Sequence, residues 1–113
     1  MVGEVWDVRL DPVIGAEQGG TRPALVISSV YFNRIQKYLY FIVPITGTDH
    51  GLEYQIRIGS REGGLSKNSV IMCDLARSVS VQRFRMKRGE VSADVLRSVQ
   101  QMVGRLIDAY DVY

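Results

Sequence analysis

Three stretches of the chain carry side chains suited to handling phosphate. The first is the loop over residues 12–21, PVIGAEQGGT, where Gly15, Gly19 and Gly20 flank Glu17 and Gln18 and Thr21-Arg22-Pro23 follows. Glycines let backbone N–H groups approach an anion or let a loop move over a ligand. An arginine where such a loop meets a rigid strand can fork two N–H donors onto phosphate oxygens. The same residues also describe a mobile hairpin loop with a surface arginine. The second stretch is Pro44-Ile45-Thr46-Gly47-Thr48. A hydroxyl at the exit of an apolar run can donate to a phosphoryl oxygen, or it can cap a turn. The third holds Arg77, Arg83, Arg85, Lys87 and Arg88 with no acid between Arg77 and Arg88, while Asp7, Asp11 and Glu17 lie elsewhere. One-sided basic charge suits a polyanion, and it equally describes a solvated strand or loop face.

Other candidates are weaker. His50 could act as an acid or base, but it sits in the polar segment Gly47-Thr48-Asp49-His50-Gly51 without a second histidine. Cys73 follows Val70-Ile71-Met72 and reads as a core residue. One cysteine and one histidine leave too few ligands for a usual zinc site. The expected chemistry is therefore free of metal and cofactor, or uses a metal held by carboxylates alone.

The elements that must position these groups are mostly strands. Glu4–Leu10 alternates, with Trp6, Val8 and Leu10 expected on the buried face. Asp11-Pro12 ends it. Pro23–Ser29 is a second strand, with proline tolerated at its start. Tyr31–Lys37 suits one helical turn, and Tyr38–Ile45 a central strand covered on both faces. Leu52–Ile58, Ser69–Cys73 and Arg77–Val81 supply three more, the last two joined by a bend near Asp74. The period then changes. Val95, Leu96, Val99, Met102, Val103, Leu106 and Ile107 form a helical apolar stripe, preceded by Ser92 as N-cap and Asp94 at the positive end of the dipole. Strands first and one helix last exclude a parallel βαβ sheet and predict a small, strongly bent sheet or barrel closed by the helix.

The bounds agree. A chain of 113 residues, 46% hydrophobic, makes one domain with a packed core, and a lone cysteine excludes an intramolecular disulfide. A net charge of +2 decides nothing by itself. No run approaches the roughly 18–20 apolar residues of a membrane span, and the polar N-terminus does not read as a signal peptide. A soluble, cytoplasmic protein is expected.

Taken together, the segments resemble the MazF/PemK family. The match runs through Gly3-Glu4-Val5-Trp6, Leu10-Asp11-Pro12, Gly15 to Val26, Val43-Pro44-Ile45-Thr46, and Cys73-Asp74 followed by Arg77. It covers nearly the whole chain, and EQGGTRP is its most specific part. The resemblance implies a mainly β fold with a C-terminal helix, an SH3-like (CcdB/PemK-like) small barrel over residues 1–113. It further implies a homodimer, a MazE-like antitoxin partner with an acidic tail, and metal-independent, sequence-selective cleavage of single-stranded RNA through 2′-hydroxyl attack. By motif the family's catalytic arginine falls on Arg22, its catalytic threonine on Thr46, and the glutamate of the same loop on Glu17. Gln18, Gly19, Gly20 and Thr21, with Arg77, Arg83, Arg85 and Lys87, are then expected to bind RNA. Arginine side chains stay protonated in proteins, so Glu17 is the better proton acceptor. Many members carry glutamine after Cys-Asp where this chain has Leu75-Ala76, which leaves the recognised base sequence open. Two rivals stand: a non-catalytic barrel that poisons gyrase by protein contact, and a plain nucleic-acid-binding module using residues 77–88.

Overall fold

The computed structural model of the protein describes residues 1–108 apart from Val13 and Gln18. Among the described residues seven strands and two α-helices follow one another: β1 (Glu4–Arg9), β2 (Thr21–Val26), α1 (Val30–Ile35), β3 (Leu39–Thr46), β4 (Gln55–Ile58), β5 (Ser69–Met72), β6 (Arg77–Ser80), β7 (Phe84–Glu90) and α2 (Ala93–Ile107). All pairings are antiparallel, in the order β4-β5-β3-β2-β1-β7. β3 is the branch point. One edge pairs with β2; along the other, Leu39–Ile42 pair with β6 while Ile45–Thr46 pair with β5. A 3₁₀ turn at Cys73–Leu75 separates β5 from β6. The sheet therefore splits and curls at β3, giving the small, mainly β fold with a C-terminal helix that the sequence predicts.

Two apolar layers lie on opposite sides of the central strands. Val8, Leu10, Ala24, Val26, Ile42 and Val79 form one, edged by Trp6, Tyr40 and Phe84. Val5, Leu25, Val43, Ile45, Ile71 and Val99 anchor the other, against which α2 packs Val95, Met102 and Val103. Burying a side chain of this size is worth about 1.5–3 kcal/mol, so the doubly covered β2–β3 pair is the most firmly held part of the sheet.

α2 begins as its sequence requires. The Ser92 hydroxyl accepts the Val95 N–H at 3.2 Å, and Glu62, from a distant turn, accepts the Ser92 N–H at 2.6 Å. Orphan donors at the helix start are thereby satisfied. The apolar stripe outruns its cover: Leu106 is 45% and Ile107 80% exposed.

The structure differs from the sequence reading in several places, among them the second strand, which runs Thr21–Val26 rather than Pro23–Ser29. Val5, expected outward, is fully buried, while Trp6 is only half-buried. β1 is central like β2 and feeds both layers, and its pairing with β7 is irregular around Trp6. β4 covers Gln55–Ile58 rather than Leu52–Ile58. The sequence reading assigns no separate strand to Phe84–Glu90, allowing only a solvated strand or loop face for its basic residues, and the structure makes the segment β7. Phe84-Arg-Met-Lys-Arg-Gly-Glu alternates only over its first four residues and has no β-branched residue, and its strand form comes from pairing with β1.

One close approach fixes β7. Gly64 has φ +75°, and a methyl group there would lie 2.0 Å from the Arg88 carbonyl oxygen. In α2, by contrast, a methyl group on Gly104 would meet nothing within 4 Å. Gly64→Ala should therefore cost ~3 kcal/mol or more, whereas Gly104→Ala should stabilise the helix by up to ~1 kcal/mol. Urea unfolding at one protein concentration checks both signs, and equal midpoints for the two variants would contradict the close packing at Gly64.

Candidate active site

The register of β2 brings the two most distinctive residues together. Val8 stands opposite Arg22 on one side, and Ala24 opposite Pro44 on the other. Two residues along from that antiparallel pair, Arg22 comes level with Thr46 at the end of β3. Both line a cleft of about 450 Å³ together with Gly19, Gly20, Thr21, Gly47, Lys67 and Arg88. That volume suits a small-ligand-sized group.

Arg22, Thr46 and Arg88 are each held by a neighbour. Arg22 is half-buried, and its Nε donates to the Gly19 carbonyl at 2.9 Å. This contact fixes the guanidinium against the loop that the glycines shape. Thr46 Oγ1 accepts the Thr48 N–H at 3.3 Å, which uses a lone pair and leaves the hydroxyl hydrogen as a donor. The turn and phosphate readings of Thr46 are thus compatible. Beyond Thr48, Arg57 forks onto Asp49 through Nε at 2.6 Å and Nη2 at 2.9 Å. The fork and the Gly51 N–H hold the Asp49 carboxyl below its ordinary value and tie down the segment after Thr46. Arg88, at the lip, pairs with Asp7 at 3.0 Å.

The loop before β2 is closed rather than open to an anion. The Gly20 N–H donates to Asp11 at 3.0 Å, and the Leu10 N–H donates to the Gly20 carbonyl at 2.8 Å. Gly20, at φ +75°, makes this turn. Glu17 does not share the cleft. Its carboxylate accepts the Ile14 N–H at 2.6 Å, and it lines a neighbouring pocket of about 250 Å³ with Asp74, Leu75 and Arg77. Gln18 lies outside the described residues.

The basic stretch is not one patch. Arg77 donates to the Leu10 carbonyl at 3.3 Å, and Arg83 to the carbonyls of Arg9 and Asp11. Arg85 donates to the Gln82 carbonyl at 2.8 Å. Lys87 pairs with Glu4 at 3.2 Å. Partial burial raises the Glu4 carboxyl, but the Trp6 indole N–H and Lys87 outweigh it, leaving Glu4 below its ordinary value. Arg83 and Arg85 share a shallow depression with Arg9, apart from the Arg22 cleft. The sequence reading missed Lys67. A single cation in the polar run Ser66-Lys67-Asn68-Ser69 carries no signal until the fold sets it beside Gly47.

Comparison with known proteins finds relatives that share one family and the fold. The model of the family described as PemK-like, MazF-like toxin of type II toxin-antitoxin system matches residues 1–107. Endoribonuclease PemK of Escherichia coli is 33% identical over 105 residues, covering 92% of this chain and 77% of that protein. Endoribonuclease EndoA of Bacillus subtilis is 30% identical over 101 residues, covering 88% and 86%. Among solved structures, MazF from Deinococcus radiodurans superposes with a TM-score of 0.81 at 31% identity over 94% of each chain. A MazE-MazF structure from the same organism gives 0.72 at 26% identity over 94% and 92%.

His50 and Cys73 stand outside the cleft. His50 is exposed on the loop after Thr46. Cys73 is buried in the α2-side layer, and burial, with the neighbouring Asp74 charge, pushes its thiol up to about 11. The thiolate is the reactive form. Alkylation of Cys73 by iodoacetamide at pH 8 should therefore be roughly 10²-fold slower in the native protein than in denaturant. Equal rates in the two states would return Cys73 to the list of nucleophiles.

Proposed function

Because the chain belongs to the family of PemK-like, MazF-like toxins of type II toxin-antitoxin systems, we propose that it is an endoribonuclease that cuts single-stranded RNA. The observation that carries the reading is Arg22 and Thr46, level with each other on one cleft wall. RNA supplies its own nucleophile. The 2′-oxygen attacks the adjacent phosphorus, the bond to the 5′-oxygen breaks, and the products carry a 2′,3′-cyclic phosphate and a 5′-hydroxyl. No metal-bound water is needed for this chemistry.

The protein's task is to align the attack and to neutralise the charge that grows on the non-bridging oxygens. Arg22 and Thr46 act as the donors to those oxygens. Proton balance requires an acceptor for the 2′ hydrogen and a donor to the departing 5′-oxygen. Glu17 takes the first role. Its carboxylate lies outside the cleft, accepting the Ile14 N–H, so the loop reorganises about bound RNA to bring it in. Solvent at the open side of the cleft supplies the second proton. Gly19, Gly20 and Thr21, which line the cleft, border the scissile phosphate, and the family motif assigns Gln18 to RNA binding with them. Arg77, Arg83, Arg85 and Lys87 contact phosphates further along the strand, exchanging their present partners for RNA.

The protein works as a homodimer, and the exposed Leu106 and Ile107 at the end of α2 favour burial against a second copy. Its other partner is a MazE-like antitoxin, a reading supported by the shared fold of the MazE-MazF structures. None of the described helices is long and apolar enough to cross a membrane, which fits the expected cytoplasmic site of action.

Two experiments test this. Cleavage of a mixed RNA pool should persist in excess EDTA, disappear when the 2′-hydroxyl at the cut site is replaced by hydrogen, and fall by roughly 10²–10³ in Arg22→Ala under single-turnover conditions. A 5′-phosphate product, or activity that only added magnesium restores, would overturn the mechanism. Sedimentation at micromolar concentration should give a species of twice 12.7 kDa, and a monomer there would remove the dimer.

A further inference from the structure

Lys67 is a charged cleft residue that neither its sequence context nor the family motif singles out. It lies in the loop between the 3₁₀ turn at Glu62–Gly64 and β5. That loop is fastened just after Lys67. The Ser60 N–H donates to Asn68 Oδ1 at 2.9 Å, and the Ser69 hydroxyl donates to the Lys67 carbonyl at 3.0 Å. The side chain is set down on Gly47, the residue after Thr46. A methyl group placed on Gly47 would lie 2.6 Å from Cε and 2.7 Å from Nζ of Lys67. The ammonium thus occupies the place that a side chain at position 47 would otherwise fill.

The surrounding cations are differently disposed. Arg88 pairs with Asp7, Arg57 with Asp49, and Lys87 with Glu4. Lys67 lines the cleft and forms no ion pair among the described residues. An ammonium held against a glycine backbone beside a guanidinium and a hydroxyl presents its charge to an incoming anion. Like charges brought to one cleft without a carboxylate between them attract a phosphate before any side chain moves.

Resting on the reading of the cleft as an RNA-cleaving site, we propose that Lys67 is its third phosphate-binding group. Its ammonium contacts the phosphodiester held by Arg22 and Thr46, and Gly47 is the seat that places it. Arg22 approaches from β2, Thr46 from the end of β3, and Lys67 from the loop before β5. As charge grows on the non-bridging oxygens, the ammonium strengthens its hold, so its effect falls on the rate as well as on binding.

The test uses the full chain, an RNA that it cuts, and the same RNA with a 2′-deoxy nucleotide at the cut site as a binding probe. Lys67→Met should lower the single-turnover rate by roughly 10²-fold. It should also make the dependence of log affinity on log salt shallower by about 0.7 for the deoxy probe. Lys67→Arg should recover part of both. Gly47→Ala, whose added methyl displaces the ammonium, should lose rate in the same direction. In a Lys67→Met background it should cost nothing further, because the two changes then act on one contact. Circular dichroism establishes that each variant is folded. Cleavage within twofold of the parent and an unchanged salt slope in folded Lys67→Met would overturn the assignment, as would fully additive losses in the double variant. If the parent cuts no RNA but Lys67→Met still flattens the salt slope, the phosphate contact stands and the catalytic reading falls.

Discussion

The pairing of Ala24 with Pro44, Leu25 with Val43 and Val26 with Ile42 sets the geometry on which the cleft depends. Side chains alternate across a strand, so slipping this register by one residue would exchange the two faces of β2 relative to β3. Leu25 and Val43 belong to the α2-side layer, while Ala24, Val26 and Ile42 belong to the other. All five are fully buried, and a slip would cost several of these contacts at about 1.5–3 kcal/mol each. It would also move Arg22 out of level with Thr46. The apolar core therefore fixes a polar alignment in which it takes no direct part.

The rest of the cleft is assembled around this alignment from segments that are far apart in the chain. β3 ends where β5 begins to pair with it, so Thr46 and the loop before β5 are neighbours. Gly64 lets the backbone of that same region pack on β7 at Arg88. Asp7, opposite Pro23 in β1, then holds Arg88 at the cleft's lip. None of these segments forms a site without the others. The donors become convergent only when the sheet has closed.

How much of this was legible beforehand follows from the kind of information each feature needs. Arg22 and Thr46 could be named because each sits beside a local signal, a glycine-rich loop meeting a strand and a β-rich run ending in Pro-Ile-Thr. α2 could be placed from its stripe and from Ser92, since helix periodicity and capping are local. Lys67 could not be named, because its role depends on meeting Gly47, twenty positions earlier in the chain. β7 was hidden for a similar reason: its strand form comes from a partner, not from its composition. The basic stretch misled in the opposite sense. Its charges are adjacent in sequence, but the fold turns Arg83 and Arg85 toward Arg9 while Arg77 faces the pocket of Glu17 and Asp74.

The ion pairs around the cleft also bear on how RNA could be gripped by side chains that already have partners. Lys87–Glu4 and Arg88–Asp7 join β7 to β1 with the cations 43% and 36% exposed. Fully exposed pairs contribute only ~0–1 kcal/mol to stability, but Glu4 and Asp7 are just 16% and 14% exposed. Giving up the cations therefore leaves two half-buried carboxylates to be satisfied, Glu4 by the Trp6 indole N–H. Their carboxylates matter in another way. They keep the β7 cations lying along β1 instead of extended into solvent, and part of the ordering cost is met before RNA arrives. The same logic distinguishes the outer contacts from the inner ones. Outer cations exchange a present partner for a phosphate and so grip without discriminating between ground and transition states. Arg22, anchored through the Gly19 carbonyl on a strand that the core holds in register, has no comparable freedom to follow the substrate. Rigid donors favour the charge distribution for which they are placed, so catalysis belongs to the inner cleft and affinity to its rim.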